Sequence, residues 1–189
     1  AVTYATAVQE ANDIGAVEVA YDPVARLAAA KDHGLYTITR IVVFEDPAAV
    51  RAHPEQQLAW AWLDPIVRDT WAYPLALAVE ACTLGFNEVQ FDYVRFPDEP
   101  PQRLDRTVYP ARQAGESRRS AIRRSVNLLR ERVNALGVPF TLDVFGLAAS
   151  ARGDLGIGQV WEDLSTAADV ILPMVYPSHY GRGAFGIPN

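Results

Sequence analysis

Cysteine, histidine and long apolar runs are scarce in this sequence of 189 residues. Cys82 is the only cysteine, which excludes a disulfide within the chain, and its apolar surroundings predict a packing role. His33, His53 and His179 are the only histidines, and their spacing is not typical of zinc ligands. No run of 18 apolar residues is present to span a bilayer. We therefore expect no metal, no cofactor and no membrane span in this chain.

Positive charge and phosphate-binding motifs are also scarce. The net charge is −6 and the isoelectric point is near 5.0, which argues against a nucleic-acid partner. The one basic cluster is predicted to be the solvated face of a helix; it contains Arg118, Arg119, Arg123 and Arg124. Neither a Gly-x-Gly-x-x-Gly motif nor a P-loop follows a predicted strand, which argues against a doubly wound sheet that binds nucleotides.

A repeated order of helix, glycine and strand organises the chain. Four helices are predicted: the first begins at Asp22-Pro23, and the others cover residues 71–84, 117–136 and 159–168. Strands are predicted over residues 35–44, 88–96, 139–145 and 170–176, and residues 16–21 form either a further strand or an extended loop. Gly34, Gly85 and Gly137 stand where the first three helices end. This order is typical of a parallel α/β fold.

Polar side chains recur where the predicted strands end, which is the arrangement found at the mouth of a TIM-type (β/α)8 barrel. Eight βα units need about 250 residues, more than this chain has. We therefore expect residues 1–189 to be a single barrel domain truncated at both ends. The expected sheet is open and curved, with four to six parallel strands and two unpaired edges.

The predicted strand over residues 88–96 delivers Asp92 to its carboxyl end. The two-residue strand period gives it an outer face with Val89, Phe91 and Tyr93 and an inner face with Gln90, Asp92 and Val94. A carboxylate in this position is typical of barrel active sites. It is equally compatible with a helix cap or with an ion pair to Arg95.

Three motifs together resemble a known bacterial family, described as "putative glycosyl hydrolase domain" and assigned to the TIM-barrel glycosidases. They are Val89-Gln-Phe-Asp-Tyr-Val-Arg-Phe-Pro97, Asp143-Val-Phe-Gly146 and Leu172-Pro-Met-Val-Tyr-Pro-Ser-His-Tyr180. The resemblance extends from about Gly34 to Tyr180. It implies a barrel fold, a carbohydrate substrate and an extracytoplasmic or secreted location. The chain departs from the family pattern by starting after the expected first strand, by a short segment between residues 46 and 71, and by Pro74.

Glycosidic bond cleavage needs two carboxyl groups on opposite sides of the anomeric carbon. Asp92 is the expected nucleophile or base, kept ionised by Arg95 and Arg40. Asp143 is the expected acid, since apolar neighbours raise the pKa of a carboxyl group. The two roles are interchangeable at this stage, and Glu45 or Asp46 could replace either residue. The predicted substrate-binding residues are Arg40, Asp46, Gln90, Tyr93, Arg95, Tyr176 and His179, with Trp71 as a weaker candidate.

Two other functions stay open on the sequence. In a non-catalytic carbohydrate-binding barrel, Asp92 and Asp143 would hold sugar hydroxyls and Arg95. A catalytic site should contain a carboxyl group with a raised pKa in a cleft, whereas a binding module should show both carboxylates fully paired. A polysaccharide deacetylase or lyase is a weaker option, and the missing metal-ligand spacing counts against the deacetylase. The oligomeric state is not predicted.

Overall fold

A parallel sheet flanked by helices forms the centre of the computed structural model, which describes residues 1–99 and 115–187. The helices are α1 (Gln9–Asp13), α2 (Pro23–Asp32), α3 (Pro47–Ala52), α4 (Ala72–Leu84), α5 (Arg118–Asn134) and α6 (Trp161–Leu164). The strands are β1 (Ile38–Val42), β2 (Gln57–Ala59), β3 (Trp62–Leu63), β4 (Glu88–Asp92), β5 (Phe140–Phe145) and β6 (Val170–Met174). Short 3-10 turns cover Pro54–Gln56, Arg68–Trp71, Gly146–Ala149, Pro177–His179 and Ala184–Gly186.

Four strands pair in parallel in the order β1-β4-β5-β6, which confirms the predicted α/β class and parallel sheet. Among the described residues β1 and β6 are the sheet edges, and no closure into a barrel is seen. The small antiparallel pair β2–β3 was not predicted. Residues 16–21 form no strand; Val17 makes a single parallel bridge to Val2.

The outer face of the sheet carries the core. Strand residues Val89, Phe91, Phe140, Leu142 and Val144 are almost completely buried there. The predicted stripe of α5 packs in the same core through Ile122, Val126, Leu129 and Val133, each fully buried. Leu136, predicted as the last member of the stripe, is 47% exposed because the helix ends at Asn134. Burial of one face by helices leaves the opposite, inner face available for polar residues.

Local signals set the helix boundaries as expected. The Asp22 carboxylate accepts the Val24 N–H at 2.9 Å, and Ser117 forms a capping box with Ser120 at the start of α5. Gly85 ends α4 with φ +102, a conformation that favours glycine. The predicted helix over residues 159–168 is a single turn, Trp161–Leu164.

The strand over residues 88–96 ends earlier than predicted, at Asp92. Tyr93 has φ +56, so the chain leaves the sheet and the two-residue alternation stops there. Val94 was predicted on the inner face, but it lies beyond the strand and is fully buried. The other predicted strands are also trimmed at their ends, as the bounds of β1, β5 and β6 show.

The basic cluster of α5 is not simply a solvated face. Arg119 Nε lies 2.5 Å and Arg123 Nη1 3.4 Å from the buried carboxylate of Asp163. Arg124 Nε donates to Glu116 at 2.9 Å. These ion pairs tie α5 to neighbouring segments, a tertiary role that charge spacing alone does not reveal.

Candidate active site

Two carboxyl groups meet at the carboxyl ends of β4 and β5. The register pairs Phe91 with Leu142, so Asp92 and Asp143 occupy the next step, on the inner face of the sheet. Both are nearly buried, with 3% and 5% of their surfaces exposed. Arg40, from the neighbouring strand β1, contacts both carboxyl groups: its Nε lies 3.0 Å from Asp92 Oδ2 and 3.9 Å from Asp143 Oδ2.

Asp92 is held as an ion pair. Nε and Nη2 of Arg40 both donate to Asp92 Oδ2. The backbone N–H of Tyr93 donates to Asp92 Oδ1 at 2.6 Å. The backbone of Tyr93 is left-handed at this point, with φ +56. Both oxygens of Asp92 therefore have a donor, and two of the three hydrogen bonds come from a guanidinium.

Asp143 has no comparable cation. The side-chain amide of Gln90 donates to its two oxygens at 2.8 and 2.7 Å. Burial raises the pKa of Asp143, and the charge of Asp92 raises it further, while Gln90 and the more distant Arg40 oppose the shift. The predicted raised pKa is therefore present. Its cause is burial on the inner face, since Val144 points to the outer core.

Gln159 links the two strand ends and was missed by sequence reasoning. Its side chain is fully buried; Nε2 donates to the Val94 carbonyl at 3.2 Å, and Oε1 accepts the Phe145 N–H at 2.8 Å. The amide thus bridges the chain just after Asp92 and the end of β5. The only local signal in the sequence was a glutamine that follows a glycine, and this pair does not predict hydrogen-bond partners. In the structure Gly158 has φ +82 and a Cβ there would meet Ile122, so the loop is closely packed.

A cleft of about 870 Å³ opens over the carboxyl pair. Seven of the nine predicted site residues line it: Arg40, Gln90, Asp92, Tyr93, Arg95, Asp143 and Tyr176. Residues 172–175, from β6 and the position after it, form the apolar part of its lining. The structure therefore brings the predicted residues together, although their roles stay predictions.

Of the two remaining predicted residues, Asp46 does not line the cleft. Asp46 is half-buried and caps α3, where its Oδ1 accepts the N–H groups of Ala48 and Ala49 at 2.8 and 3.0 Å. A helix cap explains this carboxylate without a substrate. The side chain of His179 lies outside the described part of the structure, and its predicted role stays a prediction.

The sequence suggested an ion pair between Arg95 and Asp92, and the structure does not form it. Its guanidinium stacks on the rings of Trp62 and Tyr93, with distances of 4.8 and 5.2 Å to the ring centroids. Arg40, the other arginine predicted beside Asp92, forms the ion pair with it. Trp71, the weaker sugar-binding candidate, is 2% exposed and packs edge-on against Phe44, so it belongs to the core.

The described residues offer neither a metal site nor a membrane span. Across residues 1–99 and 115–187, no group of three or more His, Cys, Asp or Glu side chains is placed to hold a metal ion. Within those ranges no helix combines the length and apolar composition needed to cross a bilayer.

A family model matches the chain over its whole length. Residues 1–189 match the model of the family described as "Putative glycosyl hydrolase domain". The chain belongs to this family. The resemblance carried by the Asp92, Asp143 and Leu172–Tyr180 motifs is thereby confirmed. No curated protein matches this glycosyl hydrolase family member.

Solved structures with a similar fold include glycoside hydrolases. A hypothetical protein from Ruminiclostridium thermocellum is 28% identical, with a TM-score of 0.65 over 76% of both chains. The glycoside hydrolase domain of PelA from Pseudomonas aeruginosa is 18% identical, with a TM-score of 0.51. That match covers 82% of this chain and 56% of the PelA chain. A GH20 exo-beta-N-acetylglucosaminidase from Vibrio harveyi is 13% identical, with a TM-score of 0.59 over 92% of this chain and 34% of the enzyme. The last two likenesses concern the fold alone.

Proposed function

We propose that this domain is a glycoside hydrolase that cleaves a polysaccharide with Asp143 as the general acid and Asp92 as the nucleophile or base. One observation carries the proposal. Two buried carboxyl groups lie side by side in a cleft; Asp92 accepts hydrogen bonds from Arg40, whereas burial raises the pKa of Asp143. Membership of the family supports the reaction class.

The two roles follow from the contacts of each carboxyl group. Burial raises the pKa of Asp143, which favours the protonated form that an acid needs to protonate the leaving glycosidic oxygen. Asp92, which Arg40 and the Tyr93 N–H hold in place, is proposed to face the anomeric carbon or its attacking water. Gln90 holds Asp143 and completes the contacts of the pair on the inner face.

The contacts with Arg40 limit the separation of the two carboxyl groups. Arg40 Nε lies 3.0 Å from Asp92 Oδ2 and 3.9 Å from Asp143 Oδ2, so these two oxygens lie no more than about 7 Å apart. Retaining enzymes separate their carboxyl groups by about 5–5.5 Å, and inverting enzymes need about 6.5–9.5 Å for the water. This limit admits both outcomes, and Asp92 is proposed as the nucleophile or the base.

We also propose that the sheet is a segment of a TIM-type barrel. Its parallel strands, its helices on the outer face and its polar strand ends support this architecture. The likeness in fold to glycoside hydrolase domains supports it as well. The extracytoplasmic location that the family resemblance implies stays a prediction.

A polysaccharide digestion screen tests the enzymatic proposal. Released reducing ends are measured for the unaltered protein, for Asp92→Asn and for Asp32→Asn, an exposed control at the end of α2. We expect release from at least one polysaccharide, its loss in Asp92→Asn and its retention in Asp32→Asn. NMR of the first product anomer then distinguishes retention from inversion. Equal activity in Asp92→Asn would reject the catalytic role.

A carbohydrate-binding function is the second candidate, because both oxygens of Asp92 already accept hydrogen bonds within the protein. A carboxylate occupied in this way is suited to a structural role as well as to catalysis. Saturable binding of oligosaccharides without any release of reducing ends, in a folded protein, would favour this function over hydrolysis.

A further inference from the structure

Arg95 brings a cation to the cleft that no described acidic side chain neutralises by contact. Its Nη1 donates to the Phe96 carbonyl at 3.1 Å, its only hydrogen bond within the described residues. Its Nε is buried without a partner there. Asp98, Asp92 and Glu45 act on it only through longer-range electrostatic attraction. A buried guanidinium N–H without an acceptor needs a physical explanation.

The two aromatic rings fix the position of this cation. Trp62 and Tyr93 stack against the guanidinium, and their own ring centroids are 5.7 Å apart. Tyr93 follows Asp92 directly, so its left-handed backbone places the stacked cation next to the carboxyl pair. An arginine held in this way loses little further rotamer freedom when a ligand binds.

We propose that Arg95 binds an anionic substituent of the substrate sugar, a carboxylate of a hexuronic acid or a sulfate ester. Arg95 lines the cleft, and guanidinium N–H groups donate readily to the oxygens of such a group. Arg40 donates to the carboxylate of Asp92 in the same cleft. Since Asp92 neutralises Arg40, Arg95 is the charge left for the ligand. This inference names a substrate class and rests on the proposed function.

The test measures binding rather than turnover. Titration calorimetry in the Asp143→Asn background compares an oligogalacturonide, a sulfated galactan oligomer and a neutral galactan oligomer of equal length. Arg95→Met then removes the charge and keeps a long apolar stem, while Arg132→Met removes an exposed charge on α5 as the control. The readout is the ratio of the Kd of the neutral oligomer to that of each acidic one.

We expect at least one acidic oligomer to bind about tenfold more tightly than the neutral one, equivalent to about 1.4 kcal/mol. Arg95→Met should bring that ratio to about one, and Arg132→Met should preserve it. Arg95→Lys, which keeps the charge but loses the planar fork, should retain part of the preference if Arg95→Met does not fold. A ratio near one in the parent background, or an unchanged ratio in Arg95→Met or Arg95→Lys, would overturn the inference. Acidic binding without hydrolysis by the unaltered protein would reject only the proposed enzymatic function.

Discussion

The ends of β4 and β5 carry the same side chain in two different environments. At the end of β4, Asp92 receives two donors from Arg40 and one from the backbone. At the end of β5, Asp143 receives only the neutral amide of Gln90, and burial raises its pKa. The comparison teaches that neighbours, rather than residue type, make the two carboxyl groups different from each other.

The strand order explains the difference. β4 lies next to β1, whose Arg40 pairs in register with Gln90 and reaches Asp92 at the next inward position. β5 lies next to β6, which places Leu172 opposite Asp143. Asp92 therefore has a close cation from the adjoining strand, whereas Asp143 has an apolar side chain beside it and Arg40 only at 3.9 Å.

The largest effect is expected when the acid is removed. Asp143→Asn keeps the shape of the side chain and loses the proton, so kcat should fall by about 10²–10⁴-fold on a polysaccharide. Aryl glycosides with good leaving groups need less protonation and should lose much less activity. Steady-state kinetics on both substrates measures the contrast. Equal losses on the two would assign Asp143 a role other than acid.

A smaller effect is expected when Asp92 loses its cation. Arg40→Met should lower kcat by about 10–100-fold, because the carboxylate of Asp92 loses two of the three hydrogen bonds that hold it in place. Steady-state kinetics on a polysaccharide measures the loss. A kcat equal to that of the unaltered protein would show that Arg40 does not position Asp92.

The link between the strand ends should show mainly in stability. Gln159→Leu leaves the Val94 carbonyl and the Phe145 N–H unpaired, and should lower the free energy of unfolding by about 1–3 kcal/mol. Urea unfolding measures the change, with the exposed amide variant Gln9→Leu as the control. A loss no greater than that of Gln9→Leu would make the Gln159 bridge dispensable.

The smallest expected effect is a pH-dependent gain in stability. Because the folded pKa of Asp143 is raised, its favourable contribution is present below the unfolded pKa near 3.8 and is lost as pH rises through the folded pKa. Asp143→Asn removes the cost of the buried charge, so its Tm should exceed that of the unaltered protein at pH 7. The difference should shrink towards pH 4. Thermal unfolding at several pH values tests this, and a constant difference would contradict it.

Local patterns in the sequence predicted most of the secondary structure and the location of the pair. The two-residue period placed Gln90 and Asp92 on one face, and that face is the inner one in the structure. Helix caps at Asp22 and Ser117 were equally local. The prediction was wrong where a left-handed residue, Tyr93, ended β4 early, because most residue types give no local signal for that conformation.

By itself the sequence determined the parallel α/β class, the family and the two carboxylates at neighbouring strand ends. Only the tertiary structure decided between their possible partners. Of the two arginines that the sequence offered to Asp92, it paired Arg40, 52 residues away, rather than nearby Arg95, and it placed Gln159 between the strand ends. The physical reason is that periodicity and caps act within one element, whereas hydrogen-bond partners depend on strand order and register, which contacts distant along the chain establish.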